Sequence, residues 1–405
     1  MRTTSQTAAR ATGAGRGAAT ALTLATVAFA VNFWAWALLS PLGPAYQELL
    51  RLSPGEVSVL VAVPVIVGSL GRILLGGLTD RYGGRAVFAA ASLLGVAPVV
   101  FLAFAENYPA LLTGGFLLGM TGATFAIGVP YVNAWFPPER RGLALGIFGM
   151  GNIGTAISGF ATPRLADAYG RQTPFFVVAA ALVVVGVVFW AVGRNAPGTR
   201  PSAEPFTARF LAAARLRVTR ELAAMYALTF GGFVAFGVYL PLYLRAGYGL
   251  TVADAAARAA GFVVLATLAR PVGGWLADRL GGRPVLAVAL AVVTACAVVV
   301  AFTPAMPLAT AAFLTMAAAL GVGNGAVFAL LGRMVPGPMV GSATGVVGAA
   351  GGLGGFLPPI VMGLIYQATG SYAIGLMLLA TVAAAAFVYC RFALSVKPGA
   401  KETAV

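Results

Sequence analysis

Arg72 and Arg270 are the residues from which the chemistry of this chain has to be read. Each stands inside an apolar run, in one of two copies of a single stretch: GRILLGGLTDRYGGR at 71–85 and ARPVGGWLADRLGGR at 269–283, offset by 198 positions and identical at 8 of 15 places. In each copy the arginine comes eight residues before the Asp in the Asp-Arg pair that ends the run. At roughly 1.5 Å of rise per helical residue, its side chain starts about 12 Å inside that end. A cation so deep in a bilayer costs roughly 2.5–3.5 kcal/mol on insertion scales, so two of them in matched places imply a function.

An acidic partner would be the simplest reason to keep such an arginine. All eleven carboxylates, Glu48, Glu56, Asp80, Glu106, Glu139, Asp167, Glu204, Glu221, Asp254, Asp278 and Glu402, fall at the ends of apolar runs or between them. None is expected at the midplane. The economical partner is then a diffusible anion, and arginine suits one: always protonated, planar, and forked to donate two parallel hydrogen bonds to an oxyanion. The chain has no histidine, so a conventional proton relay is not expected either. Acid–base or metal catalysis has no carrier, and neither an enzyme activity, a metal nor a cofactor is predicted. Cys296 and Cys390 lie in apolar runs without metal or redox spacing and read as small core residues.

The elements that position the arginines follow from composition. A chain of 405 residues with 60% hydrophobic and 9% charged residues and a mean hydropathy of +0.92 is excluded from the soluble globular class. Runs long enough to span a bilayer occur twelve times, near 19–41, 56–79, 86–105, 110–135, 141–163, 174–193, 222–245, 257–277, 284–303, 307–332, 341–366 and 372–394. The predicted fold is an all-α membrane protein of two pseudo-symmetric six-helix bundles, 1–193 and 221–405, joined by a basic linker at 194–220. The linker arginines (Arg194, Arg200, Arg209, Arg215, Arg217 and Arg220) suit the anionic inner leaflet. The tail from Lys397 to Val405 is expected to be unstructured.

The net charge of +15 is a matter of topology. With twelve spans, 19 of the 26 Lys and Arg residues fall on one side, five on the other and two within the membrane. This is the positive-inside distribution. It puts both termini in the cytoplasm and leaves no need for a nucleic-acid partner. The first thirty residues resemble a secretory signal ending at Ala28-Phe29-Ala30, but the apolar run continues to Ser40, so it is expected to stay as the first span. Trp34 and Trp36 read as interfacial anchors, with Pro41 and Pro44 ending the span.

The loop after the second span, Gly76-Gly77-Leu78-Thr79-Asp80-Arg81-Tyr82-Gly83-Gly84-Arg85, with its second copy from Gly274 to Arg283, resembles the signature loop of the major facilitator superfamily. The resemblance implies that Gly76, Asp80, Arg81 and Arg85, with Gly274, Asp278, Arg279 and Arg283, form a charge latch that gates the carrier. Span five carries Gly149-Met150-Gly151-Asn152-Ile153-Gly154. Span eleven carries glycines at 341, 345, 348, 352 and 355, which share one helix face. Together these look like the twin signatures of the nitrate/nitrite porter family.

That resemblance implies a substrate site made by Arg72, Arg270, Asn152, Tyr226 and Phe230. Phe125 is expected as a wall, and Gly151 and Gly352 as bare backbone beside the ligand. Nitrate and nitrite are the implied partners, exchanged or taken up with protons across the cytoplasmic membrane by a monomer in the lipid bilayer. A small-carboxylate exchanger of the oxalate/formate type is the alternative, although 341–366 holds no lysine. A sensor or a drug exporter fits less well.

Overall fold

The computed structural model describes residues 2–199 and 206–394. Among the described residues eleven helices are long and apolar enough to cross a membrane: Arg16–Leu50, Gly55–Tyr82, Gly84–Ala103, Tyr108–Asn133, Pro138–Tyr169, Thr173–Val192, Asp254–Leu280, Gly282–Ala301, Met306–Met334, Gly337–Pro358 and Ala373–Phe392. Arg217–Gly237 and Leu240–Tyr248, bent by 54° at their junction, make one more in seventh place. Numbered in chain order, these are spans one to twelve. Leu94, Val184, Val288 and Phe392 are among the large apolar side chains left on the outside. On a soluble protein so much exposed apolar surface would be a liability, whereas here it faces hydrocarbon.

Helix contacts repeat after six spans. Span one packs on five, two on four and three on six; in the same way seven packs on eleven, eight on ten and nine on twelve. Of the contacts that then join the halves, the two most extensive are span two with eleven and span eight with five. These carry the arginines, so the symmetry that builds the bundle also brings Arg72 and Arg270 to its centre.

The cross-half contacts are close because glycine leaves room. A Cβ on Gly76 would lie 2.2 Å from the Gly341 carbonyl oxygen, and one on Gly274 would lie 1.9 Å from that of Gly142. With no side chain at these positions two helix backbones can touch, the packing that small residues give membrane helices.

Three local expectations are corrected. Pro41 and Pro44 do not end the first span: after a turn at residues 37–38 the chain continues as helix Leu39–Leu50. Pro41 sits in the first turn of that helix, where a backbone N–H would have no intrahelical partner anyway. Trp34 and Trp36 are not free interfacial anchors, since Trp34 donates to the Thr162 hydroxyl at 3.1 Å and Trp36 to the Pro64 carbonyl at 2.8 Å. The linker contains a helix, Phe206–Arg215, and its Arg209 is buried against spans two and eleven rather than laid on lipid. The tail from Lys397 onward lies outside the described residues.

Candidate anion site

Arg72 and Arg270 are 2% and 3% exposed. Arg72 Nη1 donates to the Gly348 carbonyl at 2.6 Å and Arg270 Nη1 to the Gly149 carbonyl at 3.2 Å, so each arginine reaches across to the other half. Among the described residues no carboxylate comes within ion-pair distance of either. Nε of Arg72, and Nε and Nη2 of Arg270, are buried without a hydrogen-bond partner. Each such donor costs about 1–3 kcal/mol if nothing arrives to satisfy it.

Aromatic rings line the space between the cations. The Phe230 ring lies 5.4 Å from the guanidinium carbon of each arginine. Phe125 adds a second face to Arg72 at 5.7 Å, and Phe233 one to Arg270 at 5.4 Å. Such contacts stabilise a desolvated cation by about 2 kcal/mol or more, which offsets part of the burial cost and leaves the charges in place. Tyr226 stacks on Phe230 with centroids 4.9 Å apart, and Phe328 meets both Tyr226 and Phe125 edge-on at 4.8 Å.

Six of the eight anticipated site residues therefore converge: Arg72, Arg270, Phe125, Tyr226, Phe230 and Asn152. In this state Asn152 Nδ2 donates at 2.9 Å to the Gly149 carbonyl, the acceptor that also holds Arg270. Gly151 and Gly352 stand elsewhere. A Cβ on Gly151 would strike the Phe29 ring at 2.2 Å, and one on Gly352 the Ser69 hydroxyl at 1.9 Å, so both are helix-packing positions. The glycines beside the cations are Gly149 and Gly348, where a Cβ would meet the Arg270 and Arg72 side chains at 3.1 and 2.9 Å. The glycine stripe pointed to this surface, but register alone did not say which members face the arginines. Neither Phe328 nor Phe233 is marked for the site by any motif in the sequence.

The repeated loops lie at the basic end of the bundle. Asp80 accepts from the backbone N–H groups of Gly341 and Ser342 at 2.9 and 2.8 Å and from the Ser342 hydroxyl at 2.8 Å, capping the start of span eleven. Asp278 accepts from the N–H groups of Gly142 and Leu143 at 3.0 and 2.8 Å and caps span five. A carboxylate is well placed there, facing unpaired N–H groups and the positive end of a helix dipole. Arg85 donates to the Trp190 carbonyl and Arg283 to those of Cys390 and Arg391, tying each loop to the end of span six or twelve in its own half. Arg81 and Arg279 are exposed and lie over the neighbouring rings of Tyr82 and Trp275.

The family model described as Major Facilitator Superfamily matches residues 25–329 and 222–404. A relative from Mycobacterium tuberculosis (strain CDC 1551 / Oshkosh), named "Probable nitrate/nitrite transporter NarK2", is 48% identical over 379 residues, 92% of this chain and 96% of its own length. The chain belongs to the nitrate/nitrite porter family of the major facilitator superfamily. A Bacillus subtilis (strain 168) relative named "Nitrite extrusion protein" is 40% identical over 91% of this chain and 92% of its own. Solved structures agree in fold. The human organic anion transporter MFSD10 (TETRAN) aligns with a TM-score of 0.80 at 15% identity, covering 92% of this chain and 99% of its own. The E. coli fucose:proton symporter FucP aligns at 0.76 and 20%, covering 93% and 99%.

Proposed function

We propose that the protein carries nitrate and nitrite across the cytoplasmic membrane by alternating access, with the anion bound between Arg72 and Arg270. The observation that carries this reading is the pair of buried guanidiniums whose unpartnered N–H groups meet no carboxylate among the described residues. The names of the relatives support the choice of anion. A flat, weakly hydrated monovalent anion loses little on leaving water. Two forks hold it in plane, Phe230 or Phe125 covers a face, and Asn152 turns its amide from the Gly149 carbonyl to the ligand.

The Asp80 and Asp278 caps close the basic end, which we place, with both termini, on the cytoplasmic side; the positive-inside charge distribution supports this orientation. Opening it means uncapping spans five and eleven. An empty site with two bare cations resists that movement, whereas a loaded one is partly neutralised and turns over. Exchange of nitrate for nitrite follows naturally from this difference, and proton-linked uptake of nitrate is the other coupling open to the same site. We read the working unit as a monomer.

Counterflow tests the proposal. Proteoliposomes loaded with nitrite should accumulate labelled nitrate, and an independently imposed pH gradient separates exchange from proton-linked entry. No nitrate flux in either direction, or equal uptake of labelled oxalate, would refute the assignment.

A further inference from the structure

Asn324, on span ten, is 2% exposed, and neither atom of its amide has a hydrogen-bond partner. Burying an amide without partners is unfavourable, and each such group in a folded protein calls for an explanation. Its neighbours on the helix give its direction. Gly321 and Gly325 lie against span eight, where a Cβ would meet the carbonyl oxygens of Ala266 and Arg270 at 2.1 and 2.3 Å. Leu320 and Gly323 lie against span seven, at Gly232 and Thr229. At 3.6 residues per turn, position 324 falls in the sector between these two neighbours, one turn from Phe328 on the same face.

That sector opens on the anion site. Phe328 crosses it to touch Phe125 of the other half and meets Tyr226 of span seven. One turn along span seven from Tyr226 is Phe230, over which the Arg270 guanidinium stands with Nε and Nη2 unpartnered. The free amide of Asn324 and the free N–H groups of Arg270 therefore share a compartment. The first half differs here: four residues before Phe125 stands Thr121, whose hydroxyl is satisfied by the Leu118 carbonyl at 2.8 Å.

We infer that Asn324 is a specificity-determining residue of this site, an inference that rests on the nitrate/nitrite reading above. Its Nδ2–H donates to the third oxygen of nitrate, and its Oδ1 accepts from a free N–H of Arg270. Nitrite is bent and has only two oxygens, which the two forks already engage, so it gains little from this amide. The residue favours nitrate over nitrite.

Calorimetric binding of sodium nitrate and sodium nitrite to the purified full-length chain tests this. Asn324→Leu keeps the size and removes both hydrogen-bonding atoms. It should weaken nitrate about tenfold, the effect of losing one hydrogen bond to a charged group, and change nitrite less than about twofold. Removing a buried unpaired amide should leave the melting temperature of the empty protein unchanged or raised. Asn324→Ser carries the same binding expectation should the leucine variant not fold. An unchanged nitrate:nitrite affinity ratio alongside normal wild-type binding would overturn this inference alone. Wild-type protein that binds neither anion would overturn the functional reading and this inference with it.

Discussion

The two most extensive cross-half contacts, span two with eleven and span eight with five, are built alike in backbone and differently in side chain. Both use facing glycines, both cap a helix start with an aspartate, and both anchor a buried arginine on a glycine carbonyl of the opposite half. Matching the capped residues, Gly341 with Gly142, sets one register in which Gly348 answers Gly149 and Gly351 answers Asn152. The cation paired with each aspartate breaks the likeness. Asp278 pairs with Arg333 of its own half at 3.0 Å, and Arg333 also bonds the Pro138 carbonyl. Asp80 pairs at 2.9 Å with Arg209 of the linker helix, which in turn bonds the Pro338 carbonyl. The linker thus supplies for one contact what a membrane helix supplies for the other. The backbone geometry is shared by the two contacts, and the linker helix is tied to one of them.

The arginines themselves offer the largest effect by which to sharpen this comparison. Arg72→Lys and Arg270→Lys each keep the charge and lose the fork, so labelled nitrate uptake should fall about 100-fold, as expected for two charge-assisted hydrogen bonds. Arg270 has two buried unpartnered nitrogens to the one of Arg72, so its variant should be the weaker. Near-normal uptake in both would remove the site; an inverted order would place the anion nearer Arg72.

Next comes the difference between the two aspartate ion pairs. Arg209 and Asp80 are 3% and 4% exposed, whereas Arg333 is 29% exposed. Removing one member of a buried pair costs about 3–5 kcal/mol, while a pair open to solvent contributes about 1 kcal/mol or less. Arg209→Ala should therefore open the basic end far more than Arg333→Ala, read as alkylation of a single cysteine placed at Thr79 in a cysteine-free background. Equal labelling would mean that the linker helix is only a tether. A smaller step probes the cap itself: Ser342 gives Asp80 a hydroxyl that Leu143 cannot give Asp278. Ser342→Ala should raise the same labelling a few-fold, in line with one hydrogen bond of about 1 kcal/mol.

Much of this was legible in the sequence because it rests on periodic or repeated features. Twelve apolar runs, the duplicated loop and arginines without a nearby acid led to the fold and to the central cations. What was not legible depends on rotation and on long-range pairing. Gly149 and Gly151 sit in one short motif, yet a rotation of about 240° along the 3-10 turn at Met150–Asn152 turns one to Arg270 and the other to Phe29. Arg209 is one of six linker arginines, and nothing in its neighbourhood distinguishes the one that pairs with Asp80, more than a hundred residues away. Asn324 stands among small residues, Gly321, Gly323, Gly325 and Ala326, and only its unpaired amide sets it apart.

The smallest expected effect concerns the position where the two contacts differ most in composition. Asn152 shares the Gly149 carbonyl with Arg270, so truncating it leaves that carbonyl paired and the fold intact. On the proposed site only a donor to the ligand is lost, and part of its worth is already offset by the bond to the Gly149 carbonyl that it must give up to reach the anion. Asn152→Ala should therefore raise the half-saturation for nitrate about three- to fivefold, less than the tenfold of a full charge-assisted bond, with the maximal rate retained. The matching residue of the other contact cannot compensate. A Cβ on Gly351 would sit 2.3 Å from the Tyr226 ring, so Gly351→Asn placed in the Asn152→Ala background should displace Tyr226 and lower uptake further. Recovery of uptake in that double variant would show that the two contacts are interchangeable, and that their difference in side chains has no part in binding.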